Sequence, residues 1–180
     1  MMIVMSVVLA GCTTLSRDAC LSGDWHKIGC QDGNDGRTVD RFNDHVKACK
    51  LDNSEASRLV YLEGRQKGLA VYCTTVRGYR EGALGQKYYG ACPPEKASNF
   101  LKGYELGRRI HQAEARSSDI TDAVLSTSQK LQQSSLAEAE RVALLQEQSR
   151  LREEDVRLKD ELKRLRAEAD ALVAAARKKN

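Results

Sequence analysis

The segment Tyr61-Leu62-Glu63-Gly64-Arg65-Gln66-Lys67-Gly68 decides how this chain folds. An aromatic residue stands three positions before a glycine, and a second glycine follows four positions later. On a helix, residues three and four apart share a face, so Tyr61 lies beside a strip without side chains. Such a strip lets another backbone come close. Glycine costs a helix interior about 1 kcal/mol, so its repeated use at helical spacing points to tight helix packing rather than to a ligand groove. The same aromatic-to-glycine spacing recurs in Tyr79-Arg80-Glu81-Gly82 and Tyr104-Glu105-Leu106-Gly107, with a looser copy in Trp25-His26-Lys27-Ile28-Gly29. Glycine pairs four apart follow it at Gly29/Gly33, Gly64/Gly68 and Gly103/Gly107.

Apolar periodicity around these pairs predicts helices over about 38–49 (Val39, Phe42, Val46, Cys49), 54–72 (Leu59, Leu62, Leu69, Tyr72) and 93–115. The last opens on Pro93-Pro94, which suits a first helical turn, and carries Phe100, Leu101, Tyr104 and Ile110 on one side. Residues 74–92 read as a glycine-rich loop or short hairpin.

Composition divides the chain. All 13 Gly, both Pro, every aromatic and every Cys lie at or before Gly107. Beyond Ile110 there is no helix breaker, which marks the boundary between a compact domain and a long helix. Residues 1–117 hold 17 basic and 13 acidic side chains, and 118–180 hold 12 of each, so the net charge of +4 sits on the first part. It is too weak and too scattered for a nucleic-acid footprint, and no nucleic-acid partner is expected. The fold class is therefore mainly α: a small helical domain over 20–112, then a long helix or coiled coil over 118–178.

The first residues carry a separate signal. An uncharged apolar run, Met1 to Ala10, ends in Leu9-Ala10-Gly11-Cys12. Only eleven residues precede Cys12, against about twenty needed to span a bilayer, so the run reads as an export signal. No Lys or Arg precedes Arg17, which points to a start codon further upstream. The Leu-Ala-Gly-Cys ending resembles the lipobox of bacterial lipoproteins. That resemblance implies a signal peptide over 1–11, acylation of Cys12 with insertion of its chains into the bilayer, and a linker over 12–19. Thr13 in place of an inner-membrane retention residue implies the periplasmic face of the outer membrane.

An exported domain of about ninety residues has a thin core and is expected to be stapled. With Cys12 lipidated, Cys20, Cys30, Cys49, Cys73 and Cys92 remain. None of their spacings is C-x-x-C, so no redox motif or zinc knuckle is expected. Sequence does not fix the connectivity; the helix order favours Cys20 with Cys49 and Cys73 with Cys92, leaving Cys30 free.

Chemistry is sparsely written. His26, His45 and His111 are the only histidines. Asp24-Trp25-His26 with Asp32 invites an acid/base reading, because a carboxylate beside an imidazole orients a general base. No nucleophile elbow, metal-binding helix or phosphate loop accompanies it. His45 on an amphipathic helix reads as a packing residue. No catalytic residue, cofactor or metal is expected. The alternative is an envelope hydrolase or ligand-binding module using the surface around Trp25 and Tyr88.

The ordered landmarks Asp24-Trp25, Ile28-Gly29, Asp32-Gly33, Phe42, His45, Cys49, Tyr61, Gly64-Arg65, Gly68-Leu69, Tyr72-Cys73, Gly78-Tyr79, Gly82, Gly85, Tyr88, Cys92-Pro93, Phe100, Tyr104 and Gly107 resemble a proteobacterial lipoprotein domain, domain of unknown function 2799. The resemblance covers roughly 20–112 and implies a periplasmic lipoprotein domain without an assigned activity. The tail lies outside it.

In the tail, Leu144, Leu151, Leu158, Leu165 and Leu172 recur every seven residues. With these at heptad position d, position a holds Gln148, Asp155, Leu162, Ala169 and Ala176. Position g holds Glu147, Glu154, Glu161 and Glu168, and position e holds Arg152, Lys159 and Arg166. Glu at g facing Arg or Lys at e of a second helix pairs parallel strands, so the tail predicts a homodimer through a coiled coil, or docking to an envelope partner.

Overall fold

The computed structural model describes residues 22–50 and 54–178. The signal run, Cys12, the linker and Cys20 lie outside the described residues. Those described form six helices and no strand: α1 Trp25–Asn34, α2 Arg41–Cys49, α3 Glu55–Tyr72, α4 Thr75–Ala83, α5 Pro94–Leu131 and α6 Glu138–Arg177. The chain is mainly α with long C-terminal helices.

Two compact units divide it. The first runs to Tyr72 and includes Tyr89–Cys92; the second holds Cys73–Tyr88 and everything from Pro93 onward. In the first, α1 packs along α3 at the glycines. A Cβ on Gly29 or Gly33 would collide with the carbonyl oxygen of Tyr61 or Arg65, and one on Gly64 or Gly68 with that of His26 or Cys30. The contacts advance together along both helices, so α1 and α3 run in the same direction. In the second unit α4 packs on α5 by the same rule. Gly78 and Gly82 face the carbonyls of Phe100 and Tyr104, while Gly103 and Gly107 face those of Thr75 and Tyr79. In all eight cases the opposing carbonyl stands three residues before the opposing glycine.

The likeness extends to the ends. Asp24 caps α1 by accepting from the Lys27 amide at 3.0 Å, and Thr74 caps α4 by accepting from the Arg77 amide at 3.2 Å. Both leading helices exit through a left-handed glycine, Gly36 at φ 65° and Gly85 at φ 67°. In each exit the next amide closes back on the helix, Arg37 to the Asp32 carbonyl and Gln86 to the Glu81 carbonyl, both at 2.9 Å. The carbonyls of Arg37 and Gln86 then accept from Arg65 Nη2 and the Tyr104 hydroxyl, each at 2.8 Å. Arg65 and Tyr104 occupy the same place, one residue after Gly64 and Gly103. Residues 24–72 and 74–111 are thus two copies of one helix pair.

The second copy corrects the sequence reading of 74–92 as a loop or hairpin. Residues 75–83 are helix because Thr74 caps them and the Gly78/Gly82 pair needs a helix to face α5. A second correction concerns α5, which passes the expected boundary near residue 112 without a break and runs to Leu131. After residues 132–137 the chain reverses, and α6 returns antiparallel along α5. Leu106, Ile110 and Ala113 pack against Leu162, Leu165 and Ala169, with Tyr79, Leu158 and Leu172 at the edge of this cluster.

Replacing Gly64 or Gly103 by Ala sets a methyl against a backbone carbonyl that cannot move aside. Overpacking of this kind costs about 2–3 kcal/mol, more than the roughly 1 kcal/mol alanine adds to a helix. A Cβ on Gly90 meets nothing within 4 Å, although φ is 73°, so Gly90→Ala should cost only about 1 kcal/mol. Urea midpoints at unchanged m-value are the measurement; equal losses at the three positions would contradict the close-approach account.

Candidate functional site

The strongest concentration of titratable groups lies inside the first unit. Trp25, Ile28 and Asp32 follow one another at helical spacing along the inner side of α1, so a carboxylate occupies an apolar row. Phe42 and His45 do the same on α2. Trp25, Ile28, Phe42 and Tyr61 form the core there, with ring centroids 4.8 Å apart for Trp25–Phe42 and 5.2 Å for Phe42–Tyr61. Into this core His45 and Asp32 bring polar atoms. His45 Nε2 lies 2.7 Å from Asp32 Oδ2, and the Tyr61 hydroxyl donates to the same oxygen at 2.8 Å. His45 and Tyr61 are 0 % exposed and Asp32 is 8 % exposed.

A carboxylate oxygen accepts, so the Tyr61 hydroxyl donates to Asp32 Oδ2, and His45 donates to it when Nε2 carries the ring proton. His45 Nδ1 is buried without a hydrogen-bond partner. The Tyr61 phenol is pushed well above its ordinary range, first by burial and then by the charge and hydrogen bond of Asp32, against partial opposition from Arg65 and Arg41. Tyr61 is therefore a fixed proton donor. The arrangement has the make-up of an acid/base triad, but His45 and Tyr61 are fully enclosed and Asp32 is nearly so. Its chemistry is internal: three polar groups satisfy one another where an unpaired carboxylate would be costly.

The second copy solves the same position differently. Glu81 stands where Asp32 does, and it pairs with Arg77 at 2.9 Å; Phe100 takes the place of Tyr61. Tyr88 stacks over Phe100 at 4.7 Å, and its amide donates to the Tyr104 hydroxyl at 3.3 Å.

The sequence reading placed Asp32 with His26; the fold separates them. Asp24 is an exposed helix cap, and His26 Nε2 lies 3.1 Å from Lys67 Nζ and 3.9 Å from Glu63. Trp25 is 7 % exposed and lies in the core. The signal for the true partner was the row Trp25–Ile28–Asp32, a carboxylate in register with buried side chains. Cys49, Cys73 and Cys92 are disulfide-bonded, and Cys30 is a half-buried free thiol; Cys20 and Cys12 lie outside the described residues. Among the described residues no three His, Cys, Asp or Glu side chains are placed to hold a metal ion.

The leucine seam faces inward. Leu151 and Leu165 are buried, and Leu144, Leu158 and Leu172 are half-buried, but the helix they meet is α5 of the same chain. The charges follow: Glu154 pairs with Arg116 at 2.7 Å, Glu168 with Arg109 at 3.8 Å, and Arg166 with Glu114 at 2.8 Å. The sequence reading placed its boundary near residue 112, inside the stripe Ile110, Ala113 and Ile120 that is the seam's counterpart.

The family model described as Protein of unknown function (DUF2799) matches residues 24–109. Residues 24–109 are thus similar to that family. No curated protein and no solved structure matches the chain. The DUF2799 match begins at the cap of α1 and ends two residues past Gly107, so it frames both copies of the helix pair and leaves out α6.

Tyr61→Phe removes one donor from buried Asp32 and should cost about 1–2 kcal/mol near neutral pH. Because the folded phenol titrates above the unfolded value near 10, Tyr61 stabilises the fold fully below pH 10. That contribution falls away as pH rises further. Denaturant titrations from pH 8 to 12 should give a slope above pH 10 that is absent in Tyr61→Phe; identical slopes would contradict the buried donor role.

Proposed function

We propose that this chain is a lipid-anchored envelope protein, held at the periplasmic face of the outer membrane through acylated Cys12. It works by presenting a helical arm rather than by catalysis. The observation that carries the non-catalytic part is the burial of the acid/base cluster: His45 and Tyr61 are 0 % exposed around Asp32. A general base must come within hydrogen-bond reach of its substrate, and the imidazole and phenol here are enclosed against Asp32. Trp25, on which a binding-surface reading rested, lies in the same core. The anchoring part is supported by Leu9-Ala10-Gly11-Cys12 and by three disulfide-bonded cysteines, which suit an oxidising compartment. Among the described residues no helix is long and apolar enough to cross a membrane. Each buried acyl methylene adds about 0.8 kcal/mol, and stable attachment needs more than one chain. The α5–α6 hairpin carries the arm.

Cys12→Ala should move the protein from the membrane fraction to the soluble periplasmic fraction, and intact mass should place the mature terminus of the unaltered chain at acylated Cys12. Membrane retention surviving the substitution would refute the anchor.

A further inference from the structure

The bend between α5 and α6 lacks the stop chemistry used elsewhere in the chain. Residues Gln132, Gln133, Ser134, Ser135, Leu136 and Ala137 contain no Gly or Pro, and none adopts a positive φ. Ala137, which opens α6, makes no side-chain capping hydrogen bond, and Gln132 at the end of α5 stays right-handed, at φ −81° and ψ −9°. By contrast, α1 and α4 begin on capping side chains and end through left-handed glycines. Across the bend the bond holding the reversal is that from Arg141 Nη1 to the Leu131 carbonyl at 3.2 Å. Every residue of the bend is helix-compatible.

The packing register also runs through it. Leu106, Ala113, Ile120 and Thr127 on α5 are buried at steps of seven, and the buried Gln148, Leu162 and Ala169 on α6 are separated by multiples of seven, with half-buried Asp155 at the position between the first two. Thr127 and Gln148 are themselves separated by a multiple of seven. A turn of arbitrary length would break that phase. This one keeps it, so a helix continuing from Pro94 to Arg177 would present one coherent seam, roughly 125 Å long at 1.5 Å per residue. An antiparallel hairpin also has the symmetry of an exchange: a second copy's α6 can occupy the same place on α5 and remake every contact.

We propose that the α5–α6 hairpin opens into a continuous helix and pairs antiparallel with a second copy of this chain, exchanging α6. The proposal deepens the arm reading by naming its partner, and it replaces a parallel seam with an antiparallel one. The exchanged interface keeps the Leu106/Ile110 contacts to Leu162/Leu165, the ion pairs Arg116–Glu154 and Glu114–Arg166, and the Gln148 Nε2 to Ser128 Oγ bond at 2.8 Å. It adds the helical hydrogen bonds the bend forgoes. Opening is easiest in the distal half, where Thr127, Gln148 and the unpaired Oδ1 of Asp155 put polar groups in the seam. Attachment to one membrane would favour exchange by raising the local concentration.

The test uses the lipid-free chain (Cys12→Ala) with Cys30→Ser and the pair Ser128→Cys/Gln148→Cys. Mild oxidation should join two chains, giving a covalent dimer, and light scattering before oxidation should give a concentration-dependent mass approaching twice the monomer. Ser134→Gly/Ser135→Gly leaves the bend possible but weakens a continuous helix, and should raise the dimer dissociation constant roughly tenfold. Ser134→Ala/Ser135→Ala should lower it. Bonds formed only within one chain, with a monomeric mass persisting in the alanine variant, would overturn the exchange. So would self-crosslinking of a lone Leu158→Cys, which requires parallel helices in register. Neither outcome touches membrane attachment, which the Cys12→Ala fractionation reads separately.

Discussion

Backbone against backbone at eight glycines is the constraint from which the rest of the domain follows. Each helix pair closes until carbonyl oxygens of one helix lie where the other would carry Cβ atoms. At that separation dispersion and weak Cα–H···O contacts act along the whole crossing. No side chain can intervene, so the register is set to within one residue. Because the paired helices run in the same direction, the chain must return to its starting end between them. In the first copy that return carries α2, which brings Phe42 and His45 over Tyr61. In the second it is the short segment 84–93, which brings Tyr88 over Phe100. The covering aromatic in each copy is a consequence of a parallel glycine contact.

The two copies keep the scaffold and change the chemistry set on it. Glycines and left-handed exits coincide and each leading helix is capped by a side chain, while the matching polar position holds buried Asp32 with His45 and Tyr61 in one and half-buried Glu81 with Arg77 in the other. Outer faces diverge in the same way. Lys67 and Val71 on α3 are exposed, Val71 at 65 %, whereas Leu106 and Ile110 at the matching positions of α5 are covered by α6. A triad-like cluster that its counterpart replaces with an ion pair and a phenylalanine is best understood as one way of filling a core. That is the physical basis for the proposal that the domain presents the helical arm.

Much of this was legible in the chain. Tyr61/Gly64/Gly68 and Tyr104/Gly107 announced helix pairing, and the heptads after Leu144 gave the seam register on α6. What sequence did not yield was partner choice. Gly78/Gly82 were hidden by a glycine-dense stretch that reads as loop unless the facing helix is known. Asp32 was matched to the nearby His26, when the imidazole that reaches it comes from α2, thirteen residues on. The leucine seam was not matched to α5 of the same chain, because the bend at 132–137 contains none of the residues that mark a reversal. In each case the local signal was sound, and the missing information was a long-range contact that composition and period do not encode.

Native-state hydrogen exchange on the oxidised protein tests the central claim most directly, because protection follows local opening free energy. The account expects the slowest amides in α1, α3, α4 and the first half of α5, concentrated within one turn of the eight glycines and similar in both copies. The distal hairpin, from about Ile120 to Leu151, should exchange much faster. Slowest exchange in the distal hairpin, or protection in only one of the two glycine pairs, would contradict it.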